Sequence, residues 1–197
     1  TVEPITVHEL TYDDDGMNTS INTGSGNMLA VRFTPLSFPS KVQRIKIYCA
    51  GDDAGVAIAQ IWDDDGTNNL PGNVLSPQVG FSLVPGWNVK DVSQLDIIIN
   101  SGDIYIGIVE TPQTPPIGID TDSPIDGRSY VNVMGAPPQG TDGLWAPLSN
   151  IFAGDFMIRT ELDSASNVGI DNPLEASIPQ EFRLGQNYPN PFNPVTT

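Results

Sequence analysis

Two runs of three aspartates are the residues in this chain best suited to chemistry. Each run, at positions 13–15 and 63–65, is followed directly by a glycine. Adjacent carboxylates repel one another unless a cation lies between them, and a glycine permits the sharp turn that folds oxygen ligands around Ca²⁺. We therefore predict a metal-binding role, with Ca²⁺ as the cofactor, for Asp13, Asp14, Asp15, Asp63, Asp64 and Asp65. Asp120 and Asp122 are further candidates, and the alternative for each run is a solvated turn, where Asp and Gly are favoured.

Three tryptophans are the side chains that a sugar-binding surface would need. An indole ring stacks on the apolar face of a pyranose and keeps one hydrogen-bond donor. Trp62 ends an apolar run and Trp87 begins one, so both are predicted to be structural. Trp145 lies in the loop-like segment 143–147 and is the ligand-binding candidate, with packing in the core as the alternative.

Catalysis has little support in the sequence, and we predict that the protein is not an enzyme. His8 is the single histidine, and no G-x-S-x-G motif accompanies it. Cys49, the single cysteine, lies in the apolar run 45–50, which predicts a buried and inert thiol. A glycoside hydrolase needs only two suitably spaced carboxylates, so it is kept as the less favoured alternative.

The charge balance excludes two classes of partner. The chain of 197 residues carries 24 acidic and 8 basic side chains, a formal net charge of -16. Such a chain repels the phosphates of nucleic acid and the surface of an anionic membrane. No apolar run approaches the length of about 18 residues that a membrane-spanning helix needs, so membrane insertion is not expected either.

Short apolar runs separated by Gly, Pro, Asn and Asp predict an all-β protein. The predicted strands are 28–36, 42–50, 55–62, 79–83, 87–92, 95–99, 104–109, 129–134 and 155–162. Residues 42–50 alternate with a slip of one residue, which predicts a β-bulge. No helical period competes with these strands, so we predict an antiparallel β-sandwich of jelly-roll type over residues 1–162, with an extended C-terminal tail.

The order of several short motifs resembles a known kind of β-sandwich module. Phe33-Thr34-Pro35, 61–66, Leu70-Pro71-Gly72, Gly86-Trp87-Asn88 and 102–107 follow one another in series. This order is similar to that of modules found in secreted proteins of bacteria with type IX secretion. The resemblance implies a non-catalytic accessory or surface domain.

The end of the chain resembles an export signal. Residues 163–181 have the composition of a linker, and residues 186–194 read QNYPNPFNP. This motif resembles the start of the C-terminal sorting domain of type IX secretion cargo, which implies an extracellular or cell-surface location. A complete sorting domain continues for several more strands, so 182–197 hold only a truncated start. Residues before proline favour extended conformations, and the predicted arm carries three aromatic anchors for assembly, Phe182, Tyr188 and Phe192.

Together these features predict a non-enzymatic extracellular structural protein. We expect it to associate with copies of itself into a surface assembly or filament, through the sandwich and the extended tail. The alternative is a carbohydrate-binding or adhesive accessory module of a larger secreted protein, with extracellular polysaccharide as its partner.

Overall fold

The computed structural model describes residues 6–122, 124–134 and 144–164. The described strands are β1 Val7–Leu10, β2 Thr19–Ile21, β3 Met28–Phe33, β4 Ser40–Cys49, β5 Gly55–Asp63, β6 Val79–Leu83, β7 Gly86–Asp91, β8 Ile98–Ile99, β9 Ile104–Glu110, β10 Ile117–Asp120, β11 Ser129–Asn132, β12 Trp145–Pro147, β13 Asp155–Phe156 and β14 Ile158–Ser164. Three single-turn 3₁₀ helices occupy Thr67–Asn69, Ser93–Leu95 and Leu148–Asn150.

The strands pair antiparallel in two sheets. The first sheet has the order β1-β14-β4-β10-β13, with β2 paired to β10 and both β7 and β8 paired to β4. The second sheet has the order β12-β11-β3-β9-β5-β6. One apolar core lies between the two sheets, and it contains residues from β3, β5 and β9 of one sheet and from β4, β10 and β14 of the other.

Period-two alternation divides each central strand between the core and the outer face of its sheet. In β3, Leu29, Val31 and Phe33 are fully buried in the main core. Ala30, between them, belongs to a second, smaller apolar cluster with Trp62 and Tyr105. Because successive side chains of a strand point to opposite faces, this second cluster lies on the outer face of the second sheet.

The predicted fold class, an antiparallel β-sandwich, is confirmed. The predicted bulge is also confirmed, because Glu161 pairs with Arg44 while Leu162 pairs with Val42, so that Gln43 is the extra residue. The sequence did not predict β1, β2, β10 and β12, which have only three or four residues each. Their apolar alternation is too short to recognise, and they are strands because a longer neighbour supplies the hydrogen-bond partners.

Asp163 and Ser164, the first two residues of the predicted linker 163–181, belong to β14. The rest of that linker and the tail anchors Phe182, Tyr188 and Phe192 lie outside the described residues. Their roles therefore stay predictions. Within the described ranges, no helix has the length and apolar character needed to cross a membrane.

Candidate functional site

The first aspartate run is divided between two sets of partners. The guanidinium of Arg159, on β14, donates from Nε to Asp13 Oδ2 at 3.0 Å and from Nη2 to Asp15 Oδ1 at 2.6 Å. The same guanidinium stacks over the ring of Trp87, 4.3 Å from its centroid. Asp13 and Asp15 thus both pair with one arginine, and the three carboxylates of the run do not share one ligand.

Asp14 instead lies close to two carboxylates that follow it by more than a hundred positions in the sequence. Oxygens of Asp14, Asp120 and Asp122 lie within 4.8 Å of one another, and this is the one group of three potential metal ligands in the part of the chain that the structure describes. Asp120 accepts the backbone N–H of Asp14 at 2.7 Å and that of Asp122 at 2.8 Å. Asn18 donates its side-chain amide to Asp122 Oδ2 at 3.1 Å. The loop after β1 is therefore tied to the residues at and just after the end of β10.

The glycine that follows the first run keeps this group of carboxylates open. A Cβ atom at Gly16 would lie 2.8 Å from Asp14 Oδ1 and 3.1 Å from Asp122 Oδ2. Any side chain there would occupy the space between the two carboxylates. The sequence indicated a glycine-dependent turn, and the structure adds that this turn brings Asp14 to Asp120 and Asp122.

The pKa values of Asp14 and Asp120 are shifted in opposite directions. The pKa of Asp14 is raised by its side-chain contact with Asp120 and by the negative charges of Asp120 and Asp122. Burial opposes the ionisation of Asp120, but the N–H groups of Asp14 and Asp122 lower its pKa nevertheless. A hard cation with oxygen ligands is the species that would relieve this repulsion.

The second aspartate run stabilises a loop. Asp65 Oδ1 accepts the backbone N–H of Asn73 at 2.7 Å, and Asp65 Oδ2 accepts the side-chain amide of Asn73 at 2.5 Å. Asp64 Oδ2 accepts the N–H of Asp103 at 2.9 Å, and Asp63 Oδ1 accepts the N–H of Asp64 at 3.0 Å. These bonds favour the alternative considered for this run, a turn held by its own side chains.

Trp145 lines an open cleft of about 480 Å³ on the outer side of the second sheet. This volume lies within the usual range of about 300–1,000 Å³ for ligand sites. The other lining residues are Thr67, Asn68, Leu70, Pro71, Asn132 and Leu144. Trp145 is half-buried, and its ring meets the ring of Trp62 edge to face, with centroids 5.1 Å apart and planes at 76°. The ring of Trp145 therefore packs on Trp62 and also lines the cleft, and its contact with a ligand stays a prediction.

One wall of the cleft is tied to the outer face of the second sheet. Ala30 and Gly107 are register partners in β3 and β9, so this part of the outer face has almost no side-chain bulk. Tyr105, fully buried beside them, donates its hydroxyl proton to the carbonyl of Asn69 at 2.7 Å. This bond attaches the loop 67–71, one wall of the cleft, to the sheet.

Five residues of the cleft were not predicted as site residues. They are Thr67, Asn68, Leu70 and Pro71 of the wall, and Asn132. The Leu70-Pro71-Gly72 turn after an aspartate run indicated a loop at this position but not its neighbours. Only the pairing of β12 with β11 brings Trp145 opposite Asn132, and a three-residue strand gives no sequence signal for that pairing.

Cys49 is not placed as a nucleophile. It lies in β4 with 1% of its surface exposed, and burial raises the pKa of its thiol to about 11. The thiolate is the nucleophilic form, so Cys49 is held in the unreactive form at neutral pH. The prediction of a buried, inert thiol is confirmed.

Comparisons with known proteins define the class of fold. No protein-family model and no curated protein matches the sequence. A structure of the clostridial cysteine protease Cwp84 after propeptide cleavage matches with a TM-score of 0.58 and 12% identity, over 80% of this chain and 40% of that chain. A structure of the cysteine protease and lectin-like domains of Cwp84, described as a surface layer associated protein of Clostridium difficile, has a TM-score of 0.47 and 14% identity, over 71% of this chain and 33% of that one.

The chain spans less than half the length of either structure. At 12% identity, the match to the first structure shows a shared β-sandwich fold and nothing about activity.

Proposed function

We propose that this protein is a non-enzymatic, extracellular glycan-binding module whose ligand lies in the Trp145 cleft. The observation that carries the proposal is the cleft itself: a half-buried indole, held edge to face by Trp62, faces an open space lined by amide and hydroxyl groups. Sugar recognition needs an aromatic ring for the apolar face of a pyranose and polar groups for its hydroxyls.

Pre-organisation of the aromatic side chain strengthens the proposal. Trp62 is 3% exposed and fixes the ring of Trp145 through their contact. Side chains that are ordered before binding lose less conformational entropy when the ligand arrives. The wall loop is likewise fixed in advance, because Tyr105 holds the carbonyl of Asn69.

The proposed location and the absence of catalysis rest on other features. The resemblance of residues 186–194 to the start of a type IX sorting domain supports export to the cell surface or the medium. The buried, protonated thiol of Cys49 supports a role without nucleophilic cysteine chemistry.

Ca²⁺ is the proposed structural ion, bound by Asp14, Asp120 and Asp122. Their spacing supports it, as does the pairing of Asp13 and Asp15 with Arg159, which leaves Asp14 as the acidic side chain of the run directed at the other two. Such an ion would fix the loop after β1 against β10. The structure offers no comparable grouping for Asp63, Asp64 and Asp65 within the described residues.

Self-association into a surface assembly stays a prediction of the sequence. Its proposed anchors lie in the tail, beyond the described residues, and no contact of the described sandwich bears on it.

A glycan array tests the proposed function. We expect the protein to bind a subset of glycans, and Trp145→Ala to abolish that binding while Val89→Ala leaves it unchanged. Val89 is a matched control because it is an exposed apolar side chain on the first sheet, outside the cleft. If Trp145→Ala loses stability, Trp145→Phe is measured as well, because it keeps an aromatic ring. Glycan binding that persists in both Trp145 variants would contradict the assignment.

A further inference from the structure

We infer that the Trp145 cleft selects uncharged glycans and rejects anionic ones, such as uronates and sulfated sugars. This inference rests on the proposed function and adds the chemical class of the ligand. It comes from the charges in and around the cleft.

None of the described residues that line the cleft carries a charge. Its polar groups are the amides of Asn68 and Asn132 and the hydroxyl of Thr67. Amides and hydroxyls both donate and accept hydrogen bonds, which matches the hydroxyl and acetamido groups of neutral sugars. A carboxylate or sulfate placed here would lose water without gaining a cationic partner, and that exchange is unfavourable.

The arginines that flank this face are already engaged. Arg32 donates from Nε to Asp103 at 2.5 Å. Arg128 stacks over the ring of Tyr12 at 4.7 Å and donates to the hydroxyl of Thr34 at 2.9 Å. Neither guanidinium is among the described residues that line the cleft.

The field of the whole molecule acts in the same direction. A formal net charge of -16 repels an approaching polyanion over a distance of about 10 Å at 0.1 M salt. The same field attracts cationic amino-sugar polymers, but none of the described lining residues supplies them a carboxylate. We therefore expect such polymers to associate weakly, in a manner abolished by salt and independent of Trp145.

The test measures binding of the full chain to three polysaccharides at 50 and 500 mM NaCl. The probes are a neutral β-glucan or chitin fragment, polygalacturonate as the anion and chitosan as the cation. We expect Trp145-dependent binding of a neutral probe at both salt concentrations, with an affinity about tenfold or more above that for polygalacturonate.

A gain-of-function variant sharpens this test. Thr67 is exposed on the wall of the cleft, so Thr67→Lys should introduce binding of polygalacturonate, whereas Thr67→Gln, of similar length and uncharged, should not. Trp145-dependent binding of polygalacturonate by the unmodified protein, at an affinity equal to that for the neutral probes, would overturn the selectivity and leave the proposed function intact. An absence of Trp145-dependent binding to all three probes would overturn both.

Discussion

Arg159 determines which carboxylates of the loop after β1 pair with an arginine and which one remains for a cation. It pairs with Asp13 and Asp15 and thereby lowers the repulsion within the first run. Asp14 is left to meet Asp120 and Asp122, which lie more than a hundred positions later in the sequence. The sequence suggested one set of three metal ligands. In the structure, Asp13 and Asp15 bind an arginine, and of the three Asp14 alone is a candidate metal ligand.

If the Asp14 group binds Ca²⁺, the ion will stabilise the folded chain. At a Ca²⁺ concentration of about 100 times Kd the gain is about 2.7 kcal/mol, or a rise in Tm of roughly 5–10 °C for a domain of this size. Calorimetry with Ca²⁺ and then with EDTA measures this shift. Asp122→Asn should lose the response and Asp65→Asn, in the other run, should keep it; a wild-type Tm that does not change between Ca²⁺ and EDTA would contradict the ion.

Glu161 makes stability depend on pH in a predictable direction. Burial opposes its ionisation, but the ammonium of Lys46 at 2.7 Å and the guanidinium of Arg44 at 2.9 Å lower its pKa below the ordinary value. A group whose pKa is lowered by folding stabilises the protein above its unfolded value and loses that contribution as pH falls through the folded pKa.

Replacing this carboxylate gives the corresponding prediction. Glu161→Gln should lower the free energy of unfolding by about 1 kcal/mol at pH 7, and the difference should disappear as pH falls well below about 4. Urea denaturation of both proteins at pH 7 and pH 3 measures it. A difference of the same size at both pH values would show that the ion pairs are not its cause.

At the scale of elements, β3 and β9 approach each other closely under the outer-face cluster against which Trp145 packs. A Cβ atom at Gly107 would lie 1.9 Å from the carbonyl oxygen of Leu29 and 2.7 Å from the Cα of Ala30, both backbone atoms. Gly107→Ala should therefore move one strand, lowering the free energy of unfolding by about 2–3 kcal/mol and weakening glycan binding. Gly80→Ala, in strand β6 of the same sheet where a Cβ meets nothing within 4 Å, is the control and should be close to neutral. Denaturant unfolding of the two variants decides, and equal stability would contradict the close approach.

The lengths of the strands explain which parts of the fold and the site the sequence predicted and which it did not. Strands with five or more alternating residues were predicted, and the one-residue slip in β4 correctly indicated its bulge at Gln43. The two candidate sites were predicted only in part. Trp145 was named, but its neighbours in the cleft come from β11 and from the loop 67–71. Asp14 was named, but its partners come from the residues around the end of β10. Those neighbours depend on the pairing of strands as short as three residues, which leaves no periodic signal in the sequence.

At the scale of the whole molecule, two outer faces of one sandwich carry different features. The first sheet presents Trp87 beneath Arg159, surrounded by ion pairs such as that of Lys46 with Glu161. The second presents the uncharged Trp145 cleft. Among the residues that the structure describes, the second face is the one that combines an open volume with an aromatic ring and unionised polar groups, so the proposed ligand site lies there.

The most direct test of glycan binding in the Trp145 cleft is a calorimetric titration of the protein with the neutral glycan that it binds best. We expect saturable binding by the unmodified chain, accompanied by a change in tryptophan fluorescence. Val89→Ala should bind equally well and Trp145→Ala about fivefold or more weakly, since stacking on one aromatic ring contributes about 1–3 kcal/mol. Equal affinities for the unmodified chain and Trp145→Ala would contradict it.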